Sequence, residues 1–159
     1  MLKDSRLPLV ERLRKALDDY GLSSVTLRLE ESLQQPDGEK PEGYFERQLS
    51  EIALAIDGMD TELNATDEQR LNYLKEVLSH EVVHALRALD LWTAKEWDIL
   101  TQAAERTIHP ETGETFAARA RRMYKDMSVE TQIEESIAEL ARAYIANKKL
   151  IGGKPRNLL

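Results

Sequence analysis

One segment limits the choices for this chain more than any other. From Leu71 onward, Leu74, Val77, Leu78, Val82, Ala85, Leu86 and Leu89 recur three and four residues apart. That spacing predicts an amphipathic helix with one continuous apolar stripe, reaching Asp90. Thr66, with Gln69 three residues on, has the spacing of a capping box and marks the start. A helix this long has to be covered along its apolar face, so the rest of the chain must fold around it.

Inside that helix stands His80-Glu81-Val82-Val83-His84. Residues four apart share a face, so both imidazoles can reach one ion. Zinc takes imidazole nitrogen readily, and catalytic sites combine three protein ligands with an open position for water. Glu81 neighbours that face and is the candidate to take a proton from the water. With three histidines in 159 residues, chance produces this motif in roughly one chain in 150.

A third ligand is then required. The chain has no cysteine, which excludes thiolate zinc and iron–sulfur sites. His109 falls in a loop marked by Pro110 and Gly113 and reads as a surface residue. The better candidates lie in the last helix, in Ile133-Glu134-Glu135-Ser136-Ile137-Ala138-Glu139-Leu140-Ala141. Glu135 and Glu139 are four apart and share a face. Glu135 could bind the metal while Glu139 hydrogen-bonds the outer nitrogen of a ligating histidine and fixes its tautomer. Glu134 competes for the ligand role. Helical steps put it on the side of Ala138, Ala141 and Ile145, where a buried carboxylate would need a partner. Small Ala138 and Ala141 would let this helix come close to the His80 helix.

The remaining pattern predicts an α+β fold in a single domain covering residues 1–159. A helix runs from about Leu7 to Tyr20, stopped by Gly21. Val25, Leu27 and Leu29 alternate with polar residues, as do Ile52, Leu54 and Ile56 with small ones, and Tyr44 to Arg47 is a short strand candidate. Gln34 to Gly43 reads as a loop, and Asp57-Gly58 closes a strand. The small sheet, antiparallel or mixed, would pack on the motif helix. Three further helices follow: Thr93 to about Thr107, with a Thr93/Glu96 capping box, Thr115 to Asp126, and Ser128 to about Leu150, stopped by Gly152-Gly153 and Pro155. Trp92 and Trp97 read as packing residues.

Hydrophobic residues at 42% suffice for a core, so the composition is not that of a disordered chain. A net charge of -7 argues against binding nucleic acid through its phosphates. Arg119, Arg121, Arg122 and Lys125, like Lys148, Lys149, Lys154 and Arg156, read as solvated charge. No run approaches the ~18 apolar residues of a membrane span, and Met1 to Val10 lacks a signal-peptide pattern. The expectation is a cytoplasmic protein, free or fused to and cleaved from a larger polyprotein.

The motif residues carry a resemblance. His-Glu-x-x-His on one helix, with a Glu on a later one, resembles the gluzincin branch of zinc peptidases. There the ligand Glu is followed three residues on by a small residue and four on by an acid, which Glu135, Ala138 and Glu139 fit. The string Glu-Glu-x-x-Ala-Glu after His-Glu-Val-Val-His-Ala-Leu resembles the zincin-like domains of phage and conjugative-element polyvalent proteins and of plasmid antirestriction proteins. The likeness covers roughly Tyr44 to Tyr144, with the motif-bearing part at about 44–150. It implies a zincin-like fold, one zinc on His80, His84 and Glu135, Glu81 as general base, a peptide or protein substrate, and a mobile-element origin. It also implies that the segment Glu51 to Asp57 is the edge strand lying along the substrate. Two features depart from the pattern. The gap from His84 to Glu135 is longer than in the antirestriction relatives, and no residue stands out to stabilise an oxyanion, Tyr124 and Tyr144 being candidates by type. Peptide deformylases share His-Glu-x-x-His but need a cysteine ligand. The rival expectation is a catalytically silent zincin-fold module of antirestriction type, acting on a host protein or on DNA.

Overall fold

A computed structural model of the chain describes residues 7–33, 41–46, 51–55 and 66–147. Of the loop expected from Gln34 to Gly43, residues 34–40 lie outside the described residues, as do the turn at Asp57-Gly58 and the basic tail with its Gly152-Gly153 stop, while Gly43 already belongs to a strand.

The central helix, α2 (Asp67–Ala88), starts where the sequence places it. Thr66 Oγ1 accepts the Gln69 amide at 3.1 Å, and Gln69 Oε1 accepts the Thr66 amide at 2.7 Å. Both first-turn donors are thereby satisfied, which stabilises the cap by about 1 kcal/mol. At the far end Asp90 takes a left-handed conformation (φ 58°). The Leu91 amide then bonds Leu86 O and the Asp90 amide bonds Arg87 O, at 2.9 and 3.1 Å, a Schellman closure that ends the helix.

Helix α1 (Leu7–Asp19) precedes the sheet, and α3 (Ala94–Arg106), α4 (Phe116–Met123) and α5 (Val129–Ala146) follow α2. The expected capping box of α3 forms, with Thr93 and Glu96 bonded both ways. Thr115 caps α4 and Ser128 caps α5. Among the described residues no helix is long and apolar enough to cross a membrane.

The strands β1 (Thr26–Glu30), β2 (Gly43–Glu46) and β3 (Glu51–Ala55) form one mixed sheet in the order β1-β3-β2. β1 runs parallel to β3 and β2 antiparallel to it. This corrects the expectation that the Glu51 segment is the edge strand: β3 is central, paired on both sides, and β2 is an edge. Burial gives the reason. Ile52 and Leu54 enter the core under α2 while Ala53 and Ala55 pack beneath Leu33 and Tyr44, and a strand buried on both faces belongs inside a sheet.

Two apolar cores share α2. The first joins α1, the sheet and the α2 residues Leu71, Leu74, Val77, Leu78, Val82 and Ala85. The second joins Val83 to α3, α4 and α5 through Leu100, Phe116, Ile137, Leu140 and four alanines. The two valines inside the histidine motif therefore face different cores. Trp92 and Trp97 pack on the second core, and the Trp92 indole donates to Val83 O at 3.4 Å.

Candidate metal centre

Because Val82 and Val83 fix α2 between two cores, the face bearing His80 and His84 points into the cleft between α2 and α5. The small residues Ala138 and Ala141 of α5 are fully buried and permit a close approach. Three α5 carboxylates then reach the two rings. Glu135 faces both inner nitrogens: Oε2 lies 3.4 Å from His80 Nε2 and Oε1 lies 3.4 Å from His84 Nε2. The two Nε2 atoms are 3.2 Å apart.

The outer nitrogens meet the other two acids. His84 Nδ1 is 2.7 Å from Glu134 Oε1. His80 Nδ1 is 3.0 Å from Glu139 Oε1, though the approach is too oblique to form a hydrogen bond. The sequence left Glu134 and Glu135 as rivals for one role. The structure brings both to the site in different places, Glu135 between the rings and Glu134 behind one of them. Their order on α5 explains this, since adjacent helical residues point about 100° apart.

These positions bear on what can sit between the rings. A carboxylate behind each Nδ1 favours the tautomer with the proton there. Both Nε2 lone pairs would then face each other across 3.2 Å, with an anionic carboxylate beside them, and only a cation relieves that. Zinc held tetrahedrally at ~2.0–2.1 Å spaces its ligand atoms about 3.3–3.4 Å apart, close to the 3.2 Å between the two nitrogens and the 3.4 Å from each nitrogen to its nearer Glu135 oxygen. Among the described residues His80, His84 and Glu135 are the group whose ligand atoms are close enough to hold one ion.

Without a metal, protons answer the same need. Burial works against a charged His80 ring, yet Glu135 and Glu139 prevail and raise its pKa to about 9. For His84 burial is likewise outweighed, by Glu134 and Glu135, and the pKa rises to about 10. Burial pushes Glu135 up, but the two rings bring it down to about 2. Glu81 is only 8% exposed. Burial pushes its pKa above the carboxylate range against the pull of both histidines.

The group opens onto a cleft of about 600 Å³, roofed by Gly43, Tyr44 and Phe45 of β2 and bordered by Glu81 and Tyr124. Tyr124 was expected only by residue type, as was Tyr144. The first lines the cleft near Glu135, while the second is buried in α5. The position of Tyr124 follows from its place at the end of α4, which no local pattern reveals.

His109 departs from its expected surface position. A bridge between Ile108 and Thr115 closes its loop, and the ring packs on Phe116 at 5.0 Å and is 8% exposed. It lies outside the ligand group. The basic cluster on α4 is only partly solvated charge. Arg121 pairs with Glu105 and Arg122 with Glu114, whereas Arg119 is partly buried with its Nε atom lacking a hydrogen-bond partner.

Comparison with known protein families, with curated proteins and with solved structures gives no match. Any function must therefore be argued from the site.

Proposed function

We propose that the chain is a zinc-dependent peptidase, with His80, His84 and Glu135 as metal ligands and Glu81 as general base. The observation that carries this reading is the convergence of His80, His84 and Glu135, whose ligand atoms lie within 4.8 Å of one another, with a separate carboxylate behind each ring. A structural histidine pair needs no such double arrangement. The resemblance of the motif to gluzincins points the same way.

When bound there, zinc supplies a Lewis acid that polarises a carbonyl and acidifies a water. Glu134 hydrogen-bonds His84 Nδ1 and so orients that imidazole, while the Glu139 carboxylate beside His80 Nδ1 favours the proton there by its charge. Glu81, at the cleft and with its pKa raised mainly by burial, is suited to accept a proton at its carboxylate and pass it to a leaving amine. Tyr124 is a neutral phenol at ordinary pH, and burial with the nearby charge of Glu135 raises its pKa further. Its hydroxyl, beside Glu135 at the cleft, would have to turn from that carboxylate to donate to a developing oxyanion. β2 pairs with β3 along one side, and its residues Gly43, Tyr44 and Phe45 line the cleft. A peptide added there as a strand would run past the metal group.

Glu81→Gln should keep its metal and lose hydrolysis of a casein or mixed-peptide substrate by at least about a hundredfold. Cleavage at the wild-type rate would end the general-base assignment. The second reading, a silent zincin-fold binding module, would be favoured by a fourth protein ligand closing the metal site. Neither His109 nor any other described residue joins the three-ligand group.

A further inference from the structure

Glu42, the residue just before β2, is held through its carbonyl and both carboxylate oxygens. Its carbonyl accepts the Ala55 amide at 2.7 Å. Its carboxylate accepts the Tyr73 hydroxyl at 2.6 Å on one oxygen and Arg142 Nη1 at 2.6 Å on the other. The Arg142 guanidinium also lies 5.9 Å from the Tyr73 ring centre, within cation–π range. Glu42 and Arg142 stand 100 residues apart in sequence. Next to Glu42, Gly43 presses so close that a Cβ there would stand 2.9 Å from Ala53 O and 3.0 Å from Val77 Cγ1. The start of β2 is thus pinned both to α2 and to α5.

Arg142 also sits one turn beyond Glu139 on α5, the spacing at which helical side chains meet. Both line a second cleft of about 320 Å³, together with Glu76 of α2. Glu139 is the carboxylate facing His80 Nδ1. Arg142 is thus bonded to Glu42 and shares a cleft with Glu139 and Glu76, close enough for its charge to act on both.

We infer that Arg142 is a positioning residue that serves the site twice, fixing β2 over the cleft through Glu42 and steadying the Glu139 carboxylate behind His80. The strand half rests on contacts alone, and the His80 half rests on the zinc reading above. Arginine suits the task because its planar fork fixes the direction of the bond to Glu42 while its permanent charge acts on Glu139 nearby, where an ammonium acts as a point charge.

The test compares wild type, Glu42→Gln, Arg142→Gln and Arg142→Lys by amide hydrogen exchange and by zinc affinity in chelator competition. In Glu42→Gln, β2 amides should exchange faster by about tenfold while zinc affinity stays at wild type. In Arg142→Gln, β2 should loosen equally and zinc affinity should fall about tenfold. Arg142→Lys should restore zinc affinity but only part of the β2 protection. Wild-type exchange of β2 in Arg142→Gln would overturn the strand half, as would exchange rising in step throughout α1, which would mark general loosening. Equal zinc loss in Glu42→Gln would overturn the division of duties. If wild type takes no zinc, the zinc reading and the His80 half fall together, and the exchange data still decide the strand half.

Discussion

The two cores that meet on α2 are built from different material. The first is leucine-rich: Leu13, Leu17, Leu71, Leu74 and Leu78 are wholly buried with Ile52 and Leu54. The second relies on alanine, with Ala104, Ala117, Ala138 and Ala141 packed around Val83, Phe116 and Ile137. Large interdigitating side chains fix where α2 lies over the sheet. Small ones decide how near α5 can come. Glutamate side chains are short, so the carboxylate group around His80 and His84 exists only at that close spacing. The first core sets stability, and the second sets the site.

The strongest way to break this contrast is Leu78→Ala. It should cost about 2–5 kcal/mol of stability, read from urea midpoints, while the folded protein keeps wild-type zinc affinity. A cost below about 1 kcal/mol would show that the first core is not tightly packed. Ala138→Leu should behave the other way round. Overpacking costs about 1–3 kcal/mol, but α5 moves off α2 and zinc affinity falls by more than stability does. Unchanged affinity in that variant would remove spacing as the cause.

A subtler test uses pH on the metal-free protein. The ring pKa values stand at about 9 and about 10, above the ordinary 6.5. Their stabilisation is whole below about pH 6.5 and lost as pH rises through 9 to 10. Glu135, at about 2 against an ordinary 4.5, contributes above about pH 4.5 and loses that contribution as pH falls toward 2. Metal-free stability should therefore be greatest between those limits. A metal must displace the ring protons, so zinc affinity should climb from about pH 6 to about pH 9. A flat affinity profile over that range would mean the rings do not hold the ion.

The parts of the fold legible in the sequence are those governed by local spacing. The apolar stripe of α2, its Thr66 cap, the Thr93 cap of α3 and the pairing of His80 with His84 on one face all follow from helical period. What depends on distant packing was hidden. Nothing local says that β3 lies between β1 and β2, because strand order is set by which residues are buried on both faces. The division of work between Glu134 and Glu135 depends on how α5 crosses α2. The burial of His109 comes from the Ile108–Thr115 bridge, and the Glu42–Arg142 contact joins opposite ends of the motif region.

The most direct test of the central claim is metal content by mass spectrometry on chelator-free preparations of wild type, His84→Ala, Glu135→Ala and Glu134→Ala. The account predicts about one zinc per chain in wild type, loss in His84→Ala and Glu135→Ala, and retention at reduced affinity in Glu134→Ala. Wild-type protein that takes up no divalent metal when zinc is supplied would contradict it, as would full retention by Glu135→Ala.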